Sequence, residues 1–100
     1  MARKIEVIVY RVDAEPVVEE HEDTLESWQS IVGGYIELVP LPDGLLLLCN
    51  EEGKLDGLRY NRTVPDIDDI LGDFFVCRSD GDEFASVQPG DLATLNRLIL

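Results

Sequence analysis

Residues 31–61 read IVGGYIELVPLPDGLLLLCNEEGKLDGLRYN, and the middle of this stretch decides the fold. The run LLLLCN (45–50) is too uniformly apolar to leave one side wet, so it predicts a central strand covered on both faces. Such a strand needs partners beside it and a layer above and below. The flanking residues supply the first partner. YIELVPL (35–41) predicts a strand, and LPDG (41–44) the turn that follows it, with Pro presetting φ and Gly supplying a positive φ. Gly33 falls where a helix ends in a left-handed residue, which glycine adopts without a Cβ penalty, and Gly34 lets the chain turn into the strand. On the other side, NEEGKL (50–55) predicts a further hairpin with Gly53 at its left-handed position.

Toward the N-terminus, DTLESWQSIVGG (23–34) predicts a helix. Asp23 is the expected cap, with Glu26 three residues on as a capping-box variant. Leu25, Trp28 and Val32 recur at i, i+3 and i+7, with Ile31 flanking, and form its apolar face. KIEVIVYRV (4–12) alternates with period 2, with Ile5, Val7 and Val9 on one side and Glu6, Ile8 and Tyr10 on the other, as a strand does. Pro16 and the acidic run behind it predict a loop or an irregular edge. Toward the C-terminus, LDGLRYNRTVPDIDDILG (55–72) shows no clear period and predicts a long connection, of the kind that often carries function. DFFVCR (73–78) predicts a buried strand, SDGDE (79–83) a tight turn and FASV (84–87) a short return strand. QPGDLATLNRLIL (88–100) predicts a closing helix capped by Asp91, with Leu92, Leu95, Leu98 and Ile99 as its stripe. The order is that of an α+β fold: one domain over residues 1–100, a mostly antiparallel sheet of about five strands, and two helices packed on it.

Charge narrows the function. Twenty-one Asp and Glu against eight Lys and Arg give a net charge of −13. Direct binding to a nucleic-acid backbone or an anionic membrane wants the opposite sign. Two-thirds of the acids lie in two segments: DAEPVVEEHEDTLE (13–26) has seven and no Lys or Arg, and DIDDILGDFFVCRSDGDE (66–83) has seven against Arg78 alone. Glu19, Glu20, Glu22, Asp66, Asp68 and Asp69 are therefore the candidate interaction surface. No apolar stretch reaches the roughly 20 residues that span a bilayer. The basic, then apolar N-terminus is interrupted by Glu6, Tyr10 and Arg11, with no small-residue cleavage site after it, so the expected location is the cytoplasm.

Motifs for chemistry are absent. Cys49 and Cys77 each end an apolar run and have no second Cys or His at metal-ligand spacing; they read as small buried hydrophobes, with a disulfide open only if their strands face each other. His21, the only histidine, has neither Ser nor Cys beside it. A calcium loop begun at Asp66 puts Ile70 and Leu71 at positions 5 and 6, and one begun at Asp80 puts Phe84 at position 5; both fail. VGGYIE leaves a helix rather than entering one and lacks the lysine of a phosphate loop. The expectation is a non-catalytic protein with no metal and no cofactor.

LESWQSIVGGYIELVPL, CNEEGKLDGLRYN and DIDDILGDFFVCR, in that order, resemble a bacterial and phage family of small proteins known only as a domain of unknown function. The resemblance covers roughly residues 24–79; Arg59 stands where the family pattern carries Pro, and the N-terminal acidic segment departs from it. It implies no activity. It implies a setting in phages, plasmids and conjugative elements.

Two functions are then open. One is a non-catalytic module of a mobile element that binds another protein, in its sharpest form an anti-defence protein imitating DNA with carboxylates in place of phosphates. The other is a small-ligand or enzymatic site near the NEEGK hairpin and the YNR loop, with Glu51, Glu52, Lys54, Asn61 and Arg62 as its rim and Glu37 beside them.

Overall fold

The strand LLLLCN is buried at all six positions, and everything else is arranged to cover it. The computed structural model describes residues 2–100. Strand β1 (Lys4–Tyr10) leads to β2 (Val17–Glu22), helix α1 (Leu25–Val32) and β3 (Ile36–Pro40). A short 3-10 turn at Pro42–Gly44 joins β3 to β4 (Leu45–Asn50). The hairpin β5 (Tyr60–Val64) and β6 (Asp68–Leu71) follows, then β7 (Phe74–Asp80), β8 (Glu83–Ala85) and α2 (Asp91–Leu98). The main sheet is antiparallel, ordered β2-β1-β7-β4-β3, with β8 pairing the far end of β7; β5 and β6 form a separate two-stranded ribbon. This is the α+β, two-helix architecture that the hydrophobic pattern predicts.

Because side chains alternate across a strand, the sheet separates two cores. On one face Ile5, Val7, Val9, Leu46, Leu48, Phe75 and Cys77 meet Trp28 and Val32 of α1. On the other, Ile8, Tyr10, Leu45, Leu47, Cys49, Phe74 and Val76 meet Leu95 and Ile99 of α2 and Val64 and Ile70 of the ribbon. Cys49 and Cys77 belong to opposite faces and are free thiols. Gly33 closes α1 at φ 79°, its N–H donating to the Gln29 carbonyl, as a left-handed C-cap does.

Several expectations change. The cap of α1 is Thr24, whose Oγ1 accepts from the Ser27 N–H; Asp23 instead takes Arg3 Nε and Trp28 Nε1. Leu25 is 63% exposed, since it sits in the first turn at the open end of the helix, beside Asp82 and Phe84. NEEGKL is not a hairpin: β4 and β5 do not pair, and the chain climbs through residues 51–59 to the ribbon. There Gly57, not Gly53, has the positive φ, while Gly53 is buried where a Cβ would lie 3.3 Å from the Leu71 carbonyl oxygen. The irregular segment 55–72 contains the β5–β6 hairpin, whose register shift between Tyr60 and Arg62 breaks the alternation. Of the two forms expected for the acidic run, a loop or an irregular edge, residues 17–22 take the second, as the edge strand β2. The closing helix begins where expected, but its cap position is held by Gly90, and Asp91, the expected cap, is its first helical residue.

Candidate functional site

Strand pairing sorts the first acidic cluster. Val17, Glu19 and His21 lie opposite Val9, Val7 and Ile5 and share the α1 face; Val18, Glu20 and Glu22 lie opposite Ile8, Glu6 and Lys4 and share the α2 face. The cluster is thus divided between two faces. Glu19 is satisfied within the molecule: Arg11 donates to both its oxygens, at 2.6 and 3.0 Å, and His21 Nε2 lies 2.8 Å away. The Arg11 bonds, with His21 assisting, hold its carboxyl down at about 2. Glu20 and Glu22 are exposed, with Glu6 next to Glu20 and Lys4 next to Glu22. They form the open acidic patch.

The second cluster sits on the ribbon. Asp66 takes a left-handed φ of 66° at its turn. Asp68 accepts Lys54 Nζ at 2.9 and 3.0 Å and the Asp69 N–H at 2.8 Å, and the Lys54 ammonium lowers its carboxyl below the usual range. Asp69 accepts from Thr63 Oγ1. Between this ribbon, the 51–55 segment and the ends of β3 and β4 opens a cleft of about 220 Å³. Glu37, Glu51, Glu52, Asp68 and Asp69 ring it, Lys54 is its one cation, and Val39, Cys49 and Ile70 give it an apolar lining.

The proposed rim is therefore half assembled. Glu51, Glu52 and Lys54 meet at the cleft, whereas Asn61 and Arg62 lie elsewhere and hold the fold. Asn61 is buried; its Nδ2 donates to the carbonyls of Tyr10 and Gly72, which ties the ribbon to the end of β1. Arg62 donates to Asn61 and to the Ala14 carbonyl and stands 5.7 Å from the Tyr10 ring centroid. Burial raises the Tyr10 hydroxyl to about 12, with Arg62 opposing. Asn50 escapes the sequence reading. It lies under an apolar run, yet its Nδ2 donates to the Val32 carbonyl and its Oδ1 accepts from the Glu52 N–H, so it fixes the cleft wall to the end of α1.

Chemically, the cleft favours a cation. Its thiol is held protonated, because burial, aided by Glu37 and Asp68, raises Cys49 to about 11. Among the described residues no three His, Cys, Asp or Glu side chains are placed to hold a metal ion, and no helix is long and apolar enough to cross a membrane.

Fold and surface together define a small α+β domain with a doubly covered antiparallel sheet and an acidic exterior. The chain belongs to the family described as a domain of unknown function (DUF3846), whose model matches residues 5–99. The match extends on both sides beyond the segment that carries the resemblance in the sequence. No curated protein and no solved structure matches the chain.

Proposed function

We propose that the domain is a non-catalytic interaction module that binds a basic protein surface. One observation carries this reading: most of the chain's few cations are already engaged. Five of the eight Lys and Arg are held in ion pairs with the chain's own carboxylates, and Arg62 faces backbone carbonyls. The charge left over is negative and exposed, as on the patch of Glu6, Glu20 and Glu22. Such a surface steers a cationic partner and weakens with salt. The division of the 19–22 cluster between two faces favours recognition of a basic protein segment over imitation of a continuous row of phosphates. A role in phage, plasmid or conjugative-element biology is consistent with this reading and rests on the resemblance alone.

The test is a pull-down from host lysate at low and high salt, with the chain and its Glu6→Gln/Glu20→Gln/Glu22→Gln variant as baits. Partners should be basic, elute as salt rises and be missing from the variant, while thermal melts of the two baits agree or favour the variant, since self-repulsion falls. Identical partners with identical salt dependence on both baits would reduce the charge to a solubility device.

The cleft supports a second reading, a site for a small organic cation seated between the carboxylates of Glu37, Glu51, Glu52, Asp68 and Asp69. Titration with alkylammonium and alkylguanidinium ions, followed at the amides of residues 51–55 and 67–71, would show saturable shifts if it operates and none if the cleft is only a seam.

A further inference from the structure

We infer that the outer edge of β2 accepts an extended basic segment of a partner protein as an added strand; this rests on the proposed recognition of a basic partner and specifies how it occurs. The pairing of β1 with β2 decides which backbone groups are free. Glu6 turns its N–H and C=O toward residues 86–87, where they meet Ser86 Oγ and the Val87 N–H, so along β1 it is Ile5, Val7 and Val9 that turn theirs toward β2. Their register partners His21, Glu19 and Val17 therefore point inward. The Asp23 N–H, which donates to the Arg3 carbonyl at 2.8 Å, fits the same phase. Val18, Glu20 and Glu22 consequently point away from the sheet. The Glu22 carbonyl accepts from the Thr24 N–H, but the N–H and C=O of Val18 and Glu20 have no protein partner among the described residues.

An unpaired edge is a template for another strand, and proteins usually blunt theirs. At the opposite edge β3 ends in Pro40, which by the same phase faces outward without a donor. β2 has no proline in Val17–Glu22, and Val17 and Val18 are about half exposed, at 49% and 47%. Its block is charge. A second copy of this chain pairing there would bring the acidic run 19–22 of one strand alongside that of the other, and like charges on paired strands repel. A basic strand meets no such barrier. Run antiparallel, it would place cationic residues opposite Glu22 and Glu20 and a branched aliphatic opposite Val18, which reads Lys-x-Lys-x-Val from its N-terminus. Main-chain hydrogen bonds would give affinity and the alternate side chains specificity.

The probe is the capped peptide Lys-Thr-Lys-Thr-Val-Thr, made in three forms: unmodified, N-methylated at the second Lys and Val, and N-methylated at the threonines. Charge and sequence are the same in all three. Methylation at Lys and Val removes the donors aimed at Glu20 and Val18, while methylation at Thr faces away. The unmodified and Thr-methylated peptides should bind the wild-type chain with similar affinity and slow amide exchange at Val18 and Glu20. The Lys/Val-methylated form should bind about tenfold or more weakly, the loss expected when hydrogen bonds to the edge are removed. Glu20→Lys/Glu22→Lys should abolish binding of all three. Equal affinity of all three forms would overturn strand addition and leave attraction by charge standing. Failure of every form to bind would also overturn it, and the pull-down would decide the broader reading separately. If the double variant does not fold, the methylation comparison on the wild-type chain decides alone.

Discussion

At the scale of single residues the structure separates positions that look alike in sequence. Trp28 stacks on Phe75 with ring centroids 4.8 Å apart, meets Phe84 edge-on and is 2% exposed. Trp28→Ala should cost about 3–5 kcal/mol, read as a fall in urea midpoint; an unchanged midpoint would contradict its place in the core. Gly33 and Gly34 are adjacent but constrained for different reasons. Gly33 has a positive φ and open space around it, whereas a Cβ on Gly34 would lie 3.0 Å from Asn50 Nδ2. Gly33→Asn should therefore stay within about 1 kcal/mol of wild type, because Asn tolerates the left-handed region. Gly34→Ala should lose about 1–3 kcal/mol as the Asn50 bond to Val32 is disturbed. The first glycine was legible from its place after an apolar helix, the second only from a contact sixteen residues away. Thr24 and Asp23 were not separable either, since both side chains cap helices well and tertiary contacts to Arg3 and Trp28 claim the aspartate. Glu19 adds a pH dependence. Its carboxyl is lowered in the fold from 4.5 to about 2, so the stability it contributes is present above pH 4.5 and is lost as pH falls toward 2. For a partly solvated bidentate pair this is about 1 kcal/mol, and Glu19→Gln should flatten that part of the acid-unfolding profile.

At the scale of elements, helix α2 is held by a pair of charges thirteen residues apart. Arg78 donates from Nε and Nη2 to the two oxygens of Asp91, at 2.8 and 2.7 Å, and from Nη1 to the Asp43 carbonyl; the Gln88 N–H also donates to Asp91. Asp91 is 4% exposed, and its hydrogen bonds from Arg78 lower its carboxyl despite burial. Sequence marks Asp91 only as a helix-start residue, because nothing local points to Arg78. Asp91→Asn should cost about 3–5 kcal/mol by leaving the guanidinium without its counter-charge, measured by denaturant unfolding, and a loss below about 1 kcal/mol would make the pair an ordinary surface bridge. The elements that sequence missed share a cause. Strand β2 is wet on both faces over much of its length, so it lacks the apolar alternation that reveals a strand. The β5–β6 ribbon hides its own period behind a register shift and a buried Asn61 that serves as a pin. Of the expected rim, Glu51, Glu52 and Lys54 were legible because they are close in sequence, while the Asp68 side of the cleft required knowing that the ribbon folds back.

At the scale of the whole molecule, the plan follows from two apolar runs, LLLLCN and FFVC, which have no wet side and so require cover above and below. That much was readable. The distribution of charge was not, because the face on which a carboxylate lands depends on strand register. The doubly covered sheet also leaves one thiol in each half of the interior, Cys49 on the α2 side and Cys77 on the α1 side, raised by burial to about 11 and about 12 respectively. Both are protonated and almost wholly buried; Cys77 reacts only when its half opens, and Cys49, on the wall of the cleft, reacts slowly until its own half does. The chain thus carries a pair of built-in clocks, one per half. Labelling with a thiol reagent, resolved by peptide mass, should give two rates that converge if the halves come apart together. They should diverge if α1 or the ribbon detaches alone. Leu25→Ala would leave both rates nearly unchanged, whereas Val32→Ala should quicken Cys77 first if the sheet insulates one half from the other.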